Sequence, residues 1–320
     1  MNQTDKKEGR LTSTSRQAGN SIFENPVLAG LFAITAAIAW GWAYPLIKIG
    51  FREFGISPDM TGSKMLFAGL RFTISGLILL SLARIQHRHF AVNRGRNWWF
   101  ILLFALLNTT FHYAFFYFGL SHSDGARAAI LNSLGVFAVV ILACLIFRSD
   151  KMTGRKIAGC AIGFAGILAL NMGDAHSGRF TWNGDGFIIL NALCSAAASL
   201  LTRGLVRRVD VFVGTGYSLS IGGILLVIPG IYMGGTLPYF SPLGILCLML
   251  LIAISALGFA LYNQLIIHNP VGKIAIYNSL IPVVGAVTSC LCLGETFYWK
   301  YLLAGTLATA GIYLINKDKA

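Results

Sequence analysis

Apolar residues run along this chain in long blocks, separated by short clusters of Gly, Pro, Asn, Asp, Lys and Arg. The blocks predict helical spans over 27–50, 61–82, 98–120, 125–147 and 153–170. After a Gly/Asp-rich connection from Asn171 to Gly186, five more follow over 187–205, 211–232, 242–267, 271–293 and 299–315. Several approach the roughly 20 residues that cross a bilayer as a helix. Residues 1–25 show no periodicity and read as a disordered polar tail. A cleavable signal peptide is not expected, since its apolar core would lie nearer Met1.

The blocks repeat. The stretch 127–145, RAAILNSLGVFAVVILACL, occurs again in altered form as KIAIYNSLIPVVGAVTSCL over 273–291. Without a gap the copies match at Ala129/Ala275, Ile130/Ile276, Asn132/Asn278, Ser133/Ser279, Leu134/Leu280, Cys144/Cys290 and Leu145/Leu291. His122 and His268 stand the same distance before them, and Ala158-Gly159 answers Ala304-Gly305 downstream. An internal duplication governs the whole fold reading. It divides the chain into a tail (1–25), a first five-helix repeat (26–171), a connecting loop (172–186), a second repeat (187–316) and a short C-terminal tail (317–320).

Composition agrees with membrane burial. Of 320 residues 56% are hydrophobic and only 12% charged, about half the charged share of a soluble domain. The net charge of +13 therefore carries no implication of nucleic acid. All six cysteines fall inside apolar blocks, without disulfide or metal-ligand spacing, and read as small packing residues. Lys and Arg gather in cytoplasmic loops. Eighteen of them fall on the side of the N-tail and of the 2–3, 4–5, 6–7 and 8–9 loops, against four on the other side. Both termini are thus expected in the cytoplasm, with the chain in the cell (inner) membrane. Trp98, Trp99, Trp182 and Trp299 fall at span ends, where an aromatic belt belongs. Five helices per copy is an odd number, so the second copy is expected upside down relative to the first. The fold class read from sequence is an all-α polytopic membrane protein, ten transmembrane helices in two inverted five-helix repeats, with a substrate site near the midplane.

Three motifs bear on family. The first span carries Trp40-Gly41-Trp42-Ala43-Tyr44-Pro45 and ends at Lys48; the second has Arg71-Phe72 with Ser75; the ninth runs from Asn278 to Pro282 into Leu293-Gly294-Glu295, followed by Gly305 and Gly311. With the repeat, the chain resembles the EamA-type members of the drug/metabolite transporter superfamily from Val27 to Asn316. The resemblance implies a secondary carrier that exports small metabolites, often amino acids, by alternating access. The first copy departs from the pattern: Val136 stands where the second has Pro282, and Arg148-Ser149 where it has Gly294-Glu295. If the proline helps that helix bend, motion of the fourth helix is in question.

The substrate-site candidates are Trp40, Tyr44, Arg71, Asn108, His112, Tyr113, Asn132, Asn191, Tyr262 and Asn278. Arg71 sits mid-span with no mid-span acid to pair with, so it is either a clamp on carbonyls of a neighbouring helix or a counter-charge for substrate carboxylate. Asn132 and Asn278 either line a cavity or bond the central helices together. Asn108 and His112 are four residues apart on one face; His112 either couples protons or packs as a neutral ring. The repeat offset carries Tyr113 and Phe116 onto Phe259 and Tyr262, suiting chamber walls as well as core packing. Trp40 and Tyr44 face the small polar Asn191, Ser195 and Ser199 of the sixth span. Lys48 and Lys64 are expected to snorkel, and Glu295 to cap the tenth helix.

No span holds a central acid, and neither a phosphate-binding glycine loop nor a catalytic or metal constellation occurs, so no enzyme activity and no cofactor are expected. The expected partners are a small-molecule substrate and the lipid bilayer; oligomeric state is open. Uptake is the alternative within transport, and a membrane enzyme or assembly subunit acting on lipid head groups the alternative outside it.

Overall fold

A chain that buries its backbone in hydrocarbon must satisfy every N–H and C=O internally, which leaves helices or closed barrels. The computed structural model describes residues 22–92, 95–146, 152–169, 180–205, 208–269, 274 and 276–317, and these form helices without strands. Ten rods follow in order: α1 (Pro26–Glu53), α2 (Thr61–Ile85), α3 (Gly95–Ser121), α4 (Gly125–Ile146), α5 (Gly154–Ala169), α6 (Trp182–Gly186 continuing as Phe187–Leu205), α7 (Val211–Tyr232), α8 (Pro242–His268), α9 (Ile276–Ser279 continuing as Leu280–Leu293) and α10 (Trp299–Lys317). Most of residues 1–25, of the connection 172–186 and of the C-terminal tail lie outside the described residues.

Seven rods, α1 to α4 and α6 to α8, are long and apolar enough to cross a membrane. The expectation of ten is met only in part. The described helices of α5 and α9 have 16 and 14 residues, and α10, with Lys300 and Lys317, is less apolar. Trp98, Trp99, Trp182 and Trp299 stand exposed at rod ends.

The halves interlock by exchange. The most extensive packing joins α2 to α7 and α5 to α10; α8 and α9 pack on α1 as α3 and α4 pack on α6. Glycine makes the first seam possible. Gly62, Gly69 and Gly76 recur every seventh residue on α2, and Gly216, Gly223 and Gly230 do so on α7. A Cβ at Gly62, Gly69 or Gly76 would come within 3.0 Å of the carbonyl oxygen of Gly230, Gly223 or Gly216 respectively. The order of those partners is reversed, so α2 and α7 run antiparallel. On α5 and α10 the approaches are Gly159 to Gly311 and Gly166 to Ala304, again antiparallel. α4 and α9 repeat the pattern, with Gly125 against Ser289 and Ala129 against Gly285. Helices in equivalent places thus point in opposite directions.

A local irregularity in α3 departs from a plain helix. α3 opens into a π turn at Leu106–Thr110, which turns its polar residues onto α7: Asn108 Nδ2 donates to Ser218 Oγ (3.1 Å), Thr109 Oγ1 lies 3.2 Å from the same oxygen, and Thr110 Oγ1 donates to the Gly222 carbonyl (3.2 Å). The cysteines are free. Cys292 is exposed on α9, so the reading of all six as packing residues does not hold for it.

Gly69→Val should wedge α2 from α7, since its Cβ alone lies 2.6 Å from Val227 and 2.8 Å from the Gly223 carbonyl. We expect a loss of about 1–3 kcal/mol, read as a lower melting temperature of the purified protein. Gly305→Ala, whose Cβ meets nothing within 4 Å, should leave that temperature unchanged.

Candidate functional site

The site begins at two interrupted helices. α4 breaks after Asn132, where Ser133 leaves the helix and its hydroxyl donates to the Ile130 carbonyl (2.6 Å). α9 opens with a 3₁₀ turn, Ile276–Ser279, ahead of its α-helix from Leu280. Both interruptions fall on the duplicated Asn-Ser pair. The interruption in α4 sits upstream of Val136, the residue that stands where α9 has Pro282.

Each asparagine at a break is held by a tyrosine. Asn132 Nδ2 donates to the Tyr44 hydroxyl on α1 (2.9 Å), and Asn278 Nδ2 to the Tyr262 hydroxyl on α8 (3.0 Å). Asn132 Oδ1 in turn accepts from Asn191 Nδ2 on α6 (2.6 Å). A cavity of about 350 Å³ lies between these groups, lined by Trp40, Tyr44, Arg71, Asn108, His112, Tyr113, Asn132, Tyr262 and Asn278 among others. Asn191 is the exception among the ten candidates. It is fully buried, and its side-chain amide reaches the cavity-lining Asn132 from behind. The two asparagines at the breaks both line the space and tie helices together, so the alternatives read from sequence are not exclusive. His112 sets its ring edge against Tyr113 (4.3 Å between centroids), and its Nδ1 has no partner among the described residues.

Aromatic rings give the cavity its shape. Trp40 meets Phe259 and Tyr262 edge-on at 5.7 and 5.3 Å, and Tyr44 meets Phe116 at 5.4 Å. The repeat-related Phe116 and Tyr262 both line the cavity, each against an aromatic of α1. Ser195, Ser199, Thr202 and Thr215 line the end where α6 closes and α7 begins. Thr202, Thr215, Phe104 and Ile281 are lining residues that the sequence reading did not select; no local pattern marked them.

Arg71 is 3% exposed. Its Nε donates to the Leu251 carbonyl (3.2 Å) and Ser255 Oγ (3.0 Å) of α8, and its Nη1 to the Tyr117 hydroxyl of α3 (2.9 Å). The guanidinium thereby joins three helices while still facing the cavity.

The opposite end of the cavity is closed by charge. Arg127 of α4 grips Asp185 of α6 with Nε to Oδ1 at 2.8 Å and Nη2 to Oδ2 at 2.9 Å, both side chains nearly dry. Beside it Lys48 Nζ lies 2.9 Å from both Glu295 Oε1 and the Ser123 carbonyl. Lys48 therefore does not snorkel, and neither does Lys64, which is buried and donates to Ser121 Oγ (2.8 Å) and the Pro58 carbonyl. Glu295 does not cap α10. It accepts from Gly125 N (2.8 Å) and Ala126 N (3.1 Å), capping α4 from the other half of the chain, where the positive end of a helix dipole favours an anion. Asp124, at the N-cap position itself, makes no capping bond.

A family model for the EamA-like transporter family matches residues 27–172 and again 182–317. The chain belongs to that family. Two EamA-like units account for the duplication, and with the apolar rods they make this a multi-pass membrane protein. A Bacillus subtilis protein named "Uncharacterized transporter YvbV" is 27% identical, over 88% of this chain and 90% of its own. Two other relatives have more specific names: a "Probable terminal-alkyne amino-acid exporter" of Streptantibioticus cattleyicolor (25% identity, 89% and 92% coverage) and a "Probable amino-acid metabolite efflux pump" of Salmonella typhimurium (22%, 89% and 93%). A solved protein structure superposes with a TM-score of 0.66 over 90% of this chain and 97% of the other, at 15% identity, which establishes the shared fold.

Asp185→Ala should strip a buried guanidinium of its carboxylate and cost about 3–5 kcal/mol. Thermal melting of the EamA-like protein checks this. The double variant Arg127→Met/Asp185→Leu should recover most of the loss.

Proposed function

We propose that this chain is a secondary carrier that moves small, amino-acid-like metabolites out of the cell by alternating access. The observation carrying this reading is a cavity beside the Asn-Ser turns of α4 and α9, closed at one end by ion pairs between the halves and reaching the end of α6 and the start of α7 at the other. In secondary transporters, breaks at midplane depth expose backbone and side-chain polar groups to substrate. The antiparallel course of α2/α7, α5/α10 and α4/α9 supports an inverted relation of the two five-helix copies, and an odd helix number requires it if all ten rods span. The distribution of Lys and Arg supports cytoplasmic termini. On that orientation the cavity faces the cytoplasm and the closed end faces outward, the state in which an exporter loads. The names of the Streptantibioticus and Salmonella relatives favour export of amino-acid compounds. Nothing favours the lipid-enzyme alternative, whose polar groups would cluster at one interface rather than at mid-depth.

Alternating access requires the closed end to part. Lys48→Cys/Glu295→Cys, made in a background free of native cysteines, should be bridged by a short bifunctional thiol reagent, and bridging should abolish counterflow of labelled amino acids in proteoliposomes. Continued exchange in the bridged protein would overturn alternating access at this end. Reporter fusions at the C-terminus and within 173–184 should report opposite sides of the membrane; the same side for both would defeat the inverted arrangement.

A further inference from the structure

A cavity that binds amino-acid-like solutes can grip either end of them, and its charges decide which. Among the residues lining this one, Arg71 is the sole permanently charged side chain, and no Asp or Glu joins it. Its three bonds go to a carbonyl and two hydroxyls, none of which neutralises it. A buried cation without a counter-ion is held at considerable cost in desolvation. The bonds also occupy one side of the group: Nε and Nη1 are engaged, whereas Nη2 has no acceptor among the described residues. The clamp fixes the guanidinium and leaves a donor edge over.

The other donors point the same way. The Tyr44 and Tyr262 oxygens accept from Asn132 and Asn278, so the proton of each hydroxyl has no acceptor among the described residues and is available to a ligand oxygen. Tyr113 lies beside Arg71, its ring 3.8 Å from that of Phe72. An ammonium entering this space would meet neutral oxygens and a fixed positive charge. A carboxylate would meet a guanidinium edge and hydroxyl donors, with aromatic rings around the remainder of the ligand. We infer that the cavity recognises organic carboxylates by their anionic end, at Arg71, and that its preferred substrates are small monoanionic acids with an aromatic or apolar body. On this inference a free amino group weakens binding and an amine without a carboxylate is excluded. The inference rests on reading this cavity as the transport site, and deepens it by naming the substrate class.

Four ligands sharing one phenyl body separate the charges: phenylpropanoate, its neutral amide phenylpropanamide, zwitterionic phenylalanine and cationic phenylethylamine. Binding is measured by calorimetry on the full chain in lipid nanodiscs at neutral pH. We expect phenylpropanoate to bind at least about tenfold more tightly than phenylpropanamide, as a charge-assisted hydrogen bond does over a neutral one. Phenylalanine should fall between phenylpropanoate and phenylethylamine, and phenylethylamine should not bind. R71Q should weaken the acid at least about tenfold more than the amide and so erase the preference between them; R71K should keep part of the preference, because a point charge replaces the planar fork. Phenylethylamine binding as tightly as phenylpropanoate, failure of all four to bind, or equal loss of acid and amide in R71Q would overturn the inference. If R71Q does not fold, the wild-type ranking decides alone. Proteoliposome flux of the same ligands separates the two readings: the expected ranking without flux of any ligand removes the carrier and leaves the anion site, whereas flux of phenylethylamine in preference to phenylpropanoate removes the anion site and leaves the carrier.

Discussion

Contact between backbones along α2 and α7 is the constraint from which the remaining geometry follows. Lipid offers helices no hydrophobic gain for meeting one another, so association rests on close packing and interhelical hydrogen bonds. Glycine at every seventh position on both helices removes the side chains that would hold them apart, and two of the three rungs, Gly69 with Gly223 and Gly62 with Gly230, are reciprocal. This seam fixes two equivalent helices antiparallel, and with them the halves of the molecule. Once the halves are so placed, the Asn-Ser breaks of α4 and α9 come to border one space. Arg71, two residues beyond Gly69, leaves the seam on another face of α2 and reaches α8 and α3.

Around that frame, polar groups at depth are satisfied across helices. Asn132 is joined to both Tyr44 and Asn191, each from a different helix, so movement of α1 or α6 is felt at the break in α4. The π turn of α3 performs a similar task at the other wall. By widening the backbone around Asn108, it sets three consecutive polar side chains on α7 and leaves His112 and Tyr113 to face the cavity. Such turns recur at functional sites for this reason: an extra residue in the turn redirects side chains without ending the helix.

Much of this arrangement was legible in the residues themselves. Apolar blocks, the duplicated Asn-Ser-Leu and the glycine spacing are local or periodic signals, and depth along a span was enough to gather Trp40, Tyr44, His112 and Asn278 on one cavity. What escaped was pairing over distance. Lys48 and Glu295 are 247 residues apart, and each obeyed a local rule, snorkelling or capping the next helix, that its real partner overrode. Lys64 was drawn inward by Ser121 in the same way. Asn191 had the right depth but the wrong azimuth, which periodicity alone resolves poorly on a helix polar on one side and packed on two. The π turn carries no residue signature at all.

The two ends of the molecule differ in how their charges meet water. At the closed end Arg127 and Asp185 are 5% and 1% exposed, whereas at the other end the halves are joined by Arg88 and Asp210, 3.4 Å apart and 29% and 24% exposed. Mobile ions screen exposed pairs within about 8–10 Å at ordinary ionic strength and reach buried ones far less. Added electrolyte therefore loosens the Arg88–Asp210 tie and spares Arg127–Asp185, so that, under the proposed alternating access, the saltiness of the compartment facing Arg88 and Asp210, rather than of the medium as a whole, becomes a variable to which the balance of states is sensitive.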